Sequence, residues 1–256
     1  MAKIISEIKK ELEEIDIEQI MVKLDEYRDD ERSGVVKLIS SFEKKYTKLQ
    51  KEKERIQMMK TFENDYIDYE YVGGVDEVGR GPLAGPVVAA VVILPKDCDI
   101  LYINDSKQLR EKKREELYKK IEEQALGIGI GIVDNEEIDN INILNATKKA
   151  MKMAINNCNI RPEHVLIDAV KLDIDIPTTS IIKGDLKSIT ISAASVIAKV
   201  TRDHMLYELD KKYPMYDFKH NKGYPTKKHI EAIMEYGIIK EHRKSFSPVK
   251  EYVNNK

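Results

Sequence analysis

The hydrophobic positions of the first 68 residues recur at helical spacing. Ile5, Ile8 and Leu12 follow one another at intervals of three and four residues, and a similar apolar stripe resumes after Gly34. Apolar residues spaced in this way lie along one face of an α-helix. The stretch is densely charged and contains no proline. We therefore predict an all-α N-terminal extension over residues 1–68, with three helices, which serves either as a packing module or as a substrate- or partner-binding extension.

From residue 69 onward, short apolar runs alternate with helical stretches. The predicted strands lie at residues 71–78, 87–94, 126–132, 164–169 and 178–182, and the predicted helices at 107–124, 142–157 and 189–200. Strands that alternate with helices are typical of an α/β domain. Residues 69–256 are therefore predicted to form one α/β domain that ends in a helical, basic segment. Ser106 is the expected N-cap of the helix at 107–124, and the glycines of 126–132 indicate close packing on one face.

Four acidic residues fall where predicted strands end. Asp76 and Glu77 follow the first strand, Asp168 ends another, and Asp185 comes shortly after a third. Functional sites in such sheets gather at the carboxyl ends of strands, where four carboxylates repel one another unless cations neutralise them. Oxygen ligands favour Mg²⁺ or Mn²⁺, and a pair of such ions suits in-line displacement at phosphorus. The pattern predicts metal-dependent phosphate or phosphodiester chemistry, whereas Asp76 and Glu77 alone fit a solvated turn equally well.

The loop between the first two strands fails two tests for nucleotide binding. Gly79 to Gly85 reads G-x-G-x-x-x-G, which is one residue too long for the dinucleotide fingerprint, and no Gly-Lys-Ser/Thr follows it. A nucleotide-binding switch protein is thereby excluded. The backbone donors of Gly79, Arg80 and Gly81 remain candidates for contact with a ligand, since glycine permits close approach.

Three polar side chains are candidate phosphate contacts. Lys107 lies at a predicted helix start, and Ser192 and Lys199 share a face of the helix at 189–200. An exposed lysine and a closely packed serine are the alternative interpretations of the same residues.

Composition narrows the class of protein. The 256-residue chain has a net charge of −2, which argues against a protein that coats DNA without specificity. The segment from Lys211 to Lys256 is nevertheless basic, because it contains 11 Lys/Arg and only 5 Asp/Glu. Cys98 and Cys158 lack metal-ligand spacing and suggest a reducing compartment. The chain starts without a signal peptide and has no apolar run of the roughly 18 residues that a membrane span needs. We expect a cytoplasmic protein with no membrane contact.

The ordered motifs of the chain resemble the ribonuclease HII family from about Tyr71 to Val253. The matching segments are GVDEVGRGPLAGPVVAAVVIL, NDSKQL, VLIDAV, KGD, ISAASVIAKVTRD, HNKGYPTKKH and HRKSFSPV. The resemblance implies a ribonuclease H-like mixed sheet flanked by helices. It also implies an endonuclease whose substrates are RNA–DNA hybrids and ribonucleotide-containing duplex DNA. We expect the protein to be a monomer.

The resemblance assigns roles to particular residues. Asp76, Glu77, Asp168 and Asp185 would be the catalytic residues and would bind two divalent ions, Mg²⁺ or Mn²⁺. A metal-activated water would attack the phosphate 5′ of a ribonucleotide and leave a 3′-hydroxyl and a 5′-phosphate.

Substrate recognition is implied at two further places. Gly79-Arg80-Gly81 would contact the 2′-hydroxyl that distinguishes RNA from DNA. Tyr224 would pack on the deoxyribose that follows the junction, although a tyrosine between Gly223 and Pro225 is otherwise typical of a turn.

Two rival interpretations remain at this level. Ribonuclease HIII shares the fold and the metal chemistry, but it typically has Thr in place of Arg80 and a strand-containing N-terminal domain. A non-catalytic nucleic-acid-binding module is disfavoured because all four acids are present.

The five histidines show no zinc spacing and are expected to be structural or exposed, with His220 and His229 candidates for positions near the substrate.

Overall fold

The structure, a computed structural model, describes residues 3–254, and the chain divides into two compact units, one ending at Met58 and one beginning at Met59. In the part of the chain that it describes, no helix is both long and apolar enough to cross a membrane.

The first unit is helical. Its helices are α1 (Ile5–Glu14), α2 (Ile20–Asp25) and α3 (Ser33–Met59). The apolar stripes of the three helices meet in one core, formed by Ile8, Leu12, Ile20, Leu24, Val35, Ile39 and Phe42. The prediction of a helical N-terminal extension with a long third helix is confirmed.

A five-stranded mixed sheet organises the second unit. Its strands are β1 (Val72–Val78), β2 (Val87–Ile93), β3 (Gly127–Val133), β4 (His164–Asp168) and β5 (Thr178–Ile181), in the spatial order β3-β2-β1-β4-β5. β1, β2 and β3 pair antiparallel, whereas β4 pairs parallel with both β1 and β5. The carboxyl ends of β1, β4 and β5 therefore lie at one edge of the sheet.

Helices α7 (Ile143–Asn156) and α8 (Ile189–Lys212) cover the two faces of this sheet. The other helices of the unit are α4 (Thr61–Asn64), α5 (Glu111–Gln124), α6 (Asn135–Ile141), α9 (Phe218–Asn221), α10 (Lys227–Tyr236) and α11 (Val249–Asn254), with 3₁₀ turns at Gly184–Leu186 and Pro214–Tyr216. Val75 and Ile167 share a core with α7, while their strand neighbour Leu166 packs on α8. Because successive strand residues face opposite sides, α7 and α8 lie on opposite faces. Every residue of β2 is buried.

The glycines of β3 allow α7 to approach closely, as predicted. A Cβ atom at Gly131 would lie 1.9 Å from the carbonyl oxygen of Ala150, and one at Gly129 would lie 2.1 Å from that of Ala154. Larger residues at these two positions would push the helix off the sheet.

The predicted start of α5 is wrong. The helix begins at Glu111 after an extended Arg110, and Ser106 is instead buried, where its hydroxyl accepts a hydrogen bond of 3.0 Å from Ser195 Oγ. The residues around Ser106 form turns, because a tertiary contact of its hydroxyl competes with local capping.

The segment just after α3 packs as part of the second unit. Glu63 Oε1 accepts hydrogen bonds from Ser188 Oγ (2.6 Å), Thr190 N (3.0 Å) and Thr190 Oγ1 (2.7 Å). The Tyr66 ring stacks on His164 with 3.7 Å between ring centroids. Glu63 thereby satisfies free donors at the N-terminus of α8, where a negative charge is favourable.

Candidate active site

The structure brings the four predicted acids together at the carboxyl edge of the parallel strands. Asp76 and Asp168 each follow directly after the paired residues Val75 and Ile167. The turn that carries Asp185 follows β5 and is fastened to Asp168, whose Oδ1 accepts a hydrogen bond of 2.7 Å from Gly184 N. Strand register and one backbone bond thus hold these carboxyl groups close to one another.

Burial and the repulsion of neighbouring carboxylates raise the pKa values of Asp76, Glu77 and Asp185. The pKa of Asp76 is raised well above its usual value, first by burial and then by the charges of Glu77 and Asp168. Burial also raises the pKa of Glu77, although Arg80 opposes the shift. The pKa of Asp185 is raised by burial and by the charges of Asp105 and Asp168. Like charges at this density favour the binding of a cation.

The donor set fits a hard divalent cation. Asp76 Oδ1 accepts a hydrogen bond of 2.7 Å from Glu77 N, and Glu77 Oε1 lies 3.3 Å from Arg80 Nη1. Glu77 Oε2 is buried without a hydrogen-bond partner, which leaves a buried oxygen suited to metal coordination. Among residues 3–254, no group of three or more Asp, Glu, His or Cys side chains is already arranged so that it could hold a metal ion. All candidate ligands are carboxylate oxygens, the type that Mg²⁺ and Mn²⁺ prefer.

A fully buried arginine holds the start and the end of the loop between β1 and β2. Arg243 donates to the carbonyl oxygens of Gly79 (2.6 Å), Arg80 (2.9 Å) and Gly85 (2.9 and 3.0 Å). Guanidinium presents its donors in a rigid fork. The Arg243 side chain therefore fixes the backbone conformation of the loop that contains Gly79, Arg80 and Gly81.

A second fully buried arginine, Arg202 of α8, holds the far end of the same loop. It donates to the carbonyl oxygens of Ala84 (3.0 Å) and Pro86 (2.9 Å). Gly79 has φ +93°, and a Cβ there would lie 2.3 Å from Arg202 Nε, so the arginine and a larger residue cannot share this space. Burial lowers the pKa of Arg202 to about 10 and that of Arg243 to about 9. Both guanidinium groups remain charged at neutral pH.

Neither arginine was predicted. Arg202 and Arg243 lie more than 100 positions from the carbonyl groups that they bind in the β1–β2 loop. An isolated basic residue gives no signal of such partners, because only the tertiary fold brings the segments together.

Tyr224 lies against the same loop. A Cβ atom at Gly81 would be 3.5 Å from Tyr224 Cε1, and Leu83 N donates a hydrogen bond of 2.7 Å to the carbonyl oxygen of Gly223. The tyrosine side chain is 39% exposed. The structure thus brings the predicted 2′-hydroxyl contact and the predicted junction residue side by side, with Tyr224 partly exposed.

An open cleft of about 390 Å³ adjoins these residues. It is lined by Val78, Lys107, Glu111, Arg114, Lys199, His220, Lys222 and Tyr224. Burial lowers the pKa of Lys107, but the charges of Asp76, Asp105 and Asp185 outweigh this effect and raise it overall. Lys107 therefore stays protonated beside the acids. A cleft with several cations suits the phosphates of a nucleic acid.

The other two candidate phosphate contacts occupy different environments. Lys199 lines the cleft but pairs with the buried Asp203 at 2.7 Å, and burial lowers the pKa of Lys199. Ser192 is fully buried and donates to the carbonyl oxygen of Asp185. Its hydroxyl binds the backbone of Asp185, so Ser192 is a closely packed serine rather than an exposed phosphate contact.

Solved structures identify the class of fold. The crystal structure of ribonuclease H2 from Pyrococcus horikoshii OT3 matches with a TM-score of 0.63 and 28% identity, over 72% of this chain and 98% of that one. The structure of Bst ribonuclease HIII in complex with Mn²⁺ matches with a TM-score of 0.53 over 72% of this chain and 70% of that one; at 17% identity, this likeness shows the fold alone. The sheet and its flanking helices form the ribonuclease H-like fold.

Sequence comparison identifies the family. A model of ribonuclease HII matches residues 73–249, and a model of the ribonuclease HII N-terminal domain matches residues 4–67. A ribonuclease HII of Bacillus cereus is 55% identical over 243 residues, which cover 94% of this chain and 92% of the relative. The chain belongs to the ribonuclease HII family of metal-dependent endonucleases. The prediction of ribonuclease HII, rather than ribonuclease HIII, is confirmed.

Proposed function

We propose that this enzyme cleaves the RNA strand of RNA–DNA hybrids and also cuts at single ribonucleotides embedded in duplex DNA. The cut falls on the 5′ side of the ribonucleotide and leaves a 3′-hydroxyl and a 5′-phosphate. The observation that carries the proposal is the convergence of four carboxyl groups, one with a buried unpartnered oxygen, beside a glycine loop and a basic cleft. Family membership supports the same conclusion.

Asp76, Glu77, Asp168 and Asp185 would hold two divalent ions, Mg²⁺ or Mn²⁺. When bound, such ions activate the attacking water and stabilise the charge that develops on the phosphate. The Mn²⁺ complex of Bst ribonuclease HIII supports this choice of metal. Within the chain, the bond from Gly184 N to Asp168 orients one of the four ligands before any ion binds.

The Gly79–Gly81 loop and Tyr224 would read the sugars on the two sides of the junction. The loop would contact the 2′-hydroxyl of the ribonucleotide. Because Arg243 binds the carbonyl groups of Gly79 and Arg80, the loop would meet the ribose without rearranging. Tyr224, which is partly exposed, would pack its ring on the following deoxyribose, which lacks the 2′-hydroxyl. Lys107 and the other cations of the cleft would bind phosphates.

The proposal includes a cytoplasmic location. Cys98 and Cys158 are both free thiols, which fits the reducing cytoplasm. The monomeric state stays a prediction, and the two alternatives for residues 1–68, a packing module or a substrate- or partner-binding extension, stay open.

Cleavage assays test the proposal directly. Purified enzyme is given two labelled substrates, a duplex DNA with one ribonucleotide and a continuous RNA–DNA hybrid, with Mg²⁺ or with Mn²⁺. We expect both to be cut only when a divalent ion is present, with product ends that map to the 5′ side of the ribonucleotide. Asp76→Asn should abolish cleavage, whereas Asp175→Asn, at an exposed acid, should not. Full activity of Asp76→Asn would contradict the assignment of the site.

A further inference from the structure

A chain of hydrogen bonds runs beneath Tyr224 through two fully buried histidines. His229 Nδ1 lies 2.9 Å from the carbonyl oxygen of Tyr224, and His229 Nε2 lies 3.1 Å from His242 Nε2. The chain ends where Ile239 N donates to His242 Nδ1 at 3.0 Å. The rings of Tyr216 and Phe218 pack against the pair.

The end points of this chain fix its protons. Because Ile239 N is a donor, His242 Nδ1 must accept, and the proton of His242 therefore sits on Nε2. His242 then donates to His229 Nε2, so the proton of His229 sits on Nδ1 and is donated to the Tyr224 carbonyl group. Both rings are neutral, and only one direction of donation satisfies every partner. A charged ring would set two donors against each other at one of these contacts.

The segment that carries His242 also supports the glycine loop. Gly85 N donates to the carbonyl oxygen of Glu241 (2.9 Å), and Arg243 N donates to that of Leu83 (2.8 Å). Since Arg243 also binds the carbonyl groups of the loop, residues 241–243 are bonded to the loop on one side and, through His242, to the Tyr224 turn on the other. This segment therefore adds a second link between the loop and the Tyr224 turn, beside the bond from Leu83 N to the Gly223 carbonyl oxygen and the bonds of Arg202 to the carbonyl oxygens of Ala84 and Lys222.

We propose that His229 and His242 are positioning residues that fix Tyr224 relative to the Gly79–Gly81 loop and thereby set the preference for a single ribonucleotide in DNA over a continuous hybrid. The inference rests on the proposed function, because it requires Tyr224 to contact the sugar after the junction. Only the single-ribonucleotide substrate places a deoxyribose at that position. Displacement of the ring therefore lowers cleavage of that substrate more than cleavage of the hybrid.

Two substitutions at His229 separate positioning from simple packing. The amide nitrogen of asparagine can take the place of Nδ1 and donate to Tyr224, whereas glutamine reaches towards His242 and leaves the Tyr224 carbonyl group unpaired. The readout is the ratio of kcat/KM for the single-ribonucleotide duplex to kcat/KM for the hybrid. We expect His229→Gln to lower this ratio about tenfold and His229→Asn to keep it within about twofold of wild type.

Equal ratios in His229→Gln and wild type would overturn the inference. So would equal losses of the ratio in the asparagine and glutamine variants. If His229→Gln does not fold, His242→Asn carries the same test, since it keeps an acceptor for Ile239 N and removes the donor to His229. A ratio in His242→Asn equal to that of wild type would then overturn the inference.

Further variants separate this inference from the proposed function. His164 is also buried but lies at the opposite end of β4 from Asp168, so His164→Gln should change stability without changing the ratio. An unchanged ratio in Tyr224→Ala refutes the junction role itself. If Tyr224→Ala lowers the ratio and His229→Gln does not, only the positioning role fails. In the double variant Tyr224→Ala/His229→Gln, we expect no loss of the ratio beyond that of Tyr224→Ala.

Discussion

The carbonyl oxygen of Gly79 lies 2.6 Å from Nη2 of Arg243, a residue 164 positions further along the chain. The same guanidinium group binds the carbonyl oxygens of Arg80 and Gly85. The conformation of the glycine loop is therefore imposed by a residue from the C-terminal segment rather than by the loop alone.

Arg243→Lys should weaken both the fold and catalysis. Lysine keeps the positive charge but cannot bind three carbonyl groups in one fork, so buried acceptors lose their partners. We expect the free energy of unfolding to fall by about 2–4 kcal/mol, measured by urea denaturation, and kcat/KM to fall as well. Arg161→Lys is the matched control, because its pair with Asp175 is exposed and should change stability by less than about 0.5 kcal/mol. Equal effects of the two substitutions would contradict the role of Arg243.

Alanine at two glycines of the same loop should affect different properties: stability at Gly79 and cleavage at Gly81. At Gly79, φ is +93° and a Cβ would lie 2.3 Å from Arg202 Nε, so Gly79→Ala should lower the free energy of unfolding by roughly 2 kcal/mol or more. At Gly81, the nearest atom would be Tyr224 Cε1 at an ordinary 3.5 Å.

Gly81→Ala should therefore fold with stability close to that of wild type. Its added methyl group occupies the surface proposed to approach the ribose, so cleavage at a single ribonucleotide should fall at least about tenfold. Thermal denaturation and the cleavage assay together distinguish the two variants. Normal cleavage by a stable Gly81→Ala would rule out close contact at this position.

Asp76→Asn should stabilise the protein when divalent ions are removed with a chelator. A carboxyl group whose pKa is raised in the folded state binds its proton more tightly there than in the unfolded chain, so its ionised form destabilises the fold at pH 7. Replacing it with a neutral amide should raise the free energy of unfolding, as measured by urea denaturation at pH 7.

Added Mn²⁺ should then stabilise wild type much more than Asp76→Asn. Thermal denaturation at a series of Mn²⁺ concentrations gives this comparison without measuring activity. The exposed variant Asp175→Asn should behave like wild type under both conditions. Equal Mn²⁺ stabilisation of wild type and Asp76→Asn would exclude Asp76 as a ligand.

Acid should weaken the fold through His242. Burial, followed by the influence of His229, lowers the pKa of His242 from an ordinary 6.5 to about 4. The unfolded chain therefore binds more protons between these values, and the stability that is fully present above pH 6.5 is lost as the pH falls towards 4. The titratable side chains that face it are His229 and Tyr216.

The expected loss from this one group is roughly 3 kcal/mol. Urea denaturation between pH 7 and pH 4.5 measures it as the difference in slope between wild type and His242→Asn, because asparagine does not titrate. Parallel pH profiles for the two proteins would show that His242 does not stay neutral in the fold.

Local sequence patterns predict the positions of residues that are set by a single strand. Asp168 was predicted because an apolar run ends directly on it, and Asp185 because it follows the next strand. The tight contact of Gly131 with α7 was likewise indicated by strict alternation. In each case, the end or the periodicity of one strand determines where the side chain or the gap lies.

The remaining features depend on long-range contacts that no local pattern encodes. Ser106 has the residue type of a helix cap, yet its hydroxyl bonds to Ser195 of α8. Nothing in the sequence around His242 indicates that it bonds to His229, which the fold brings beside it. Arg202 and Arg243 bind carbonyl groups, which every residue possesses, so their partners could not be inferred from residue type.

The bonds from Glu63 to Ser188 and Thr190 have a practical consequence for shortening the chain. The N-terminal family model matches residues 4–67, and a truncation placed after that match would delete the carboxylate that caps α8, the helix that carries Arg202. It would also unstack Tyr66 from His164. A trimmed nuclease should therefore start at residue 59, so that α4 remains with the fragment to which it is bonded.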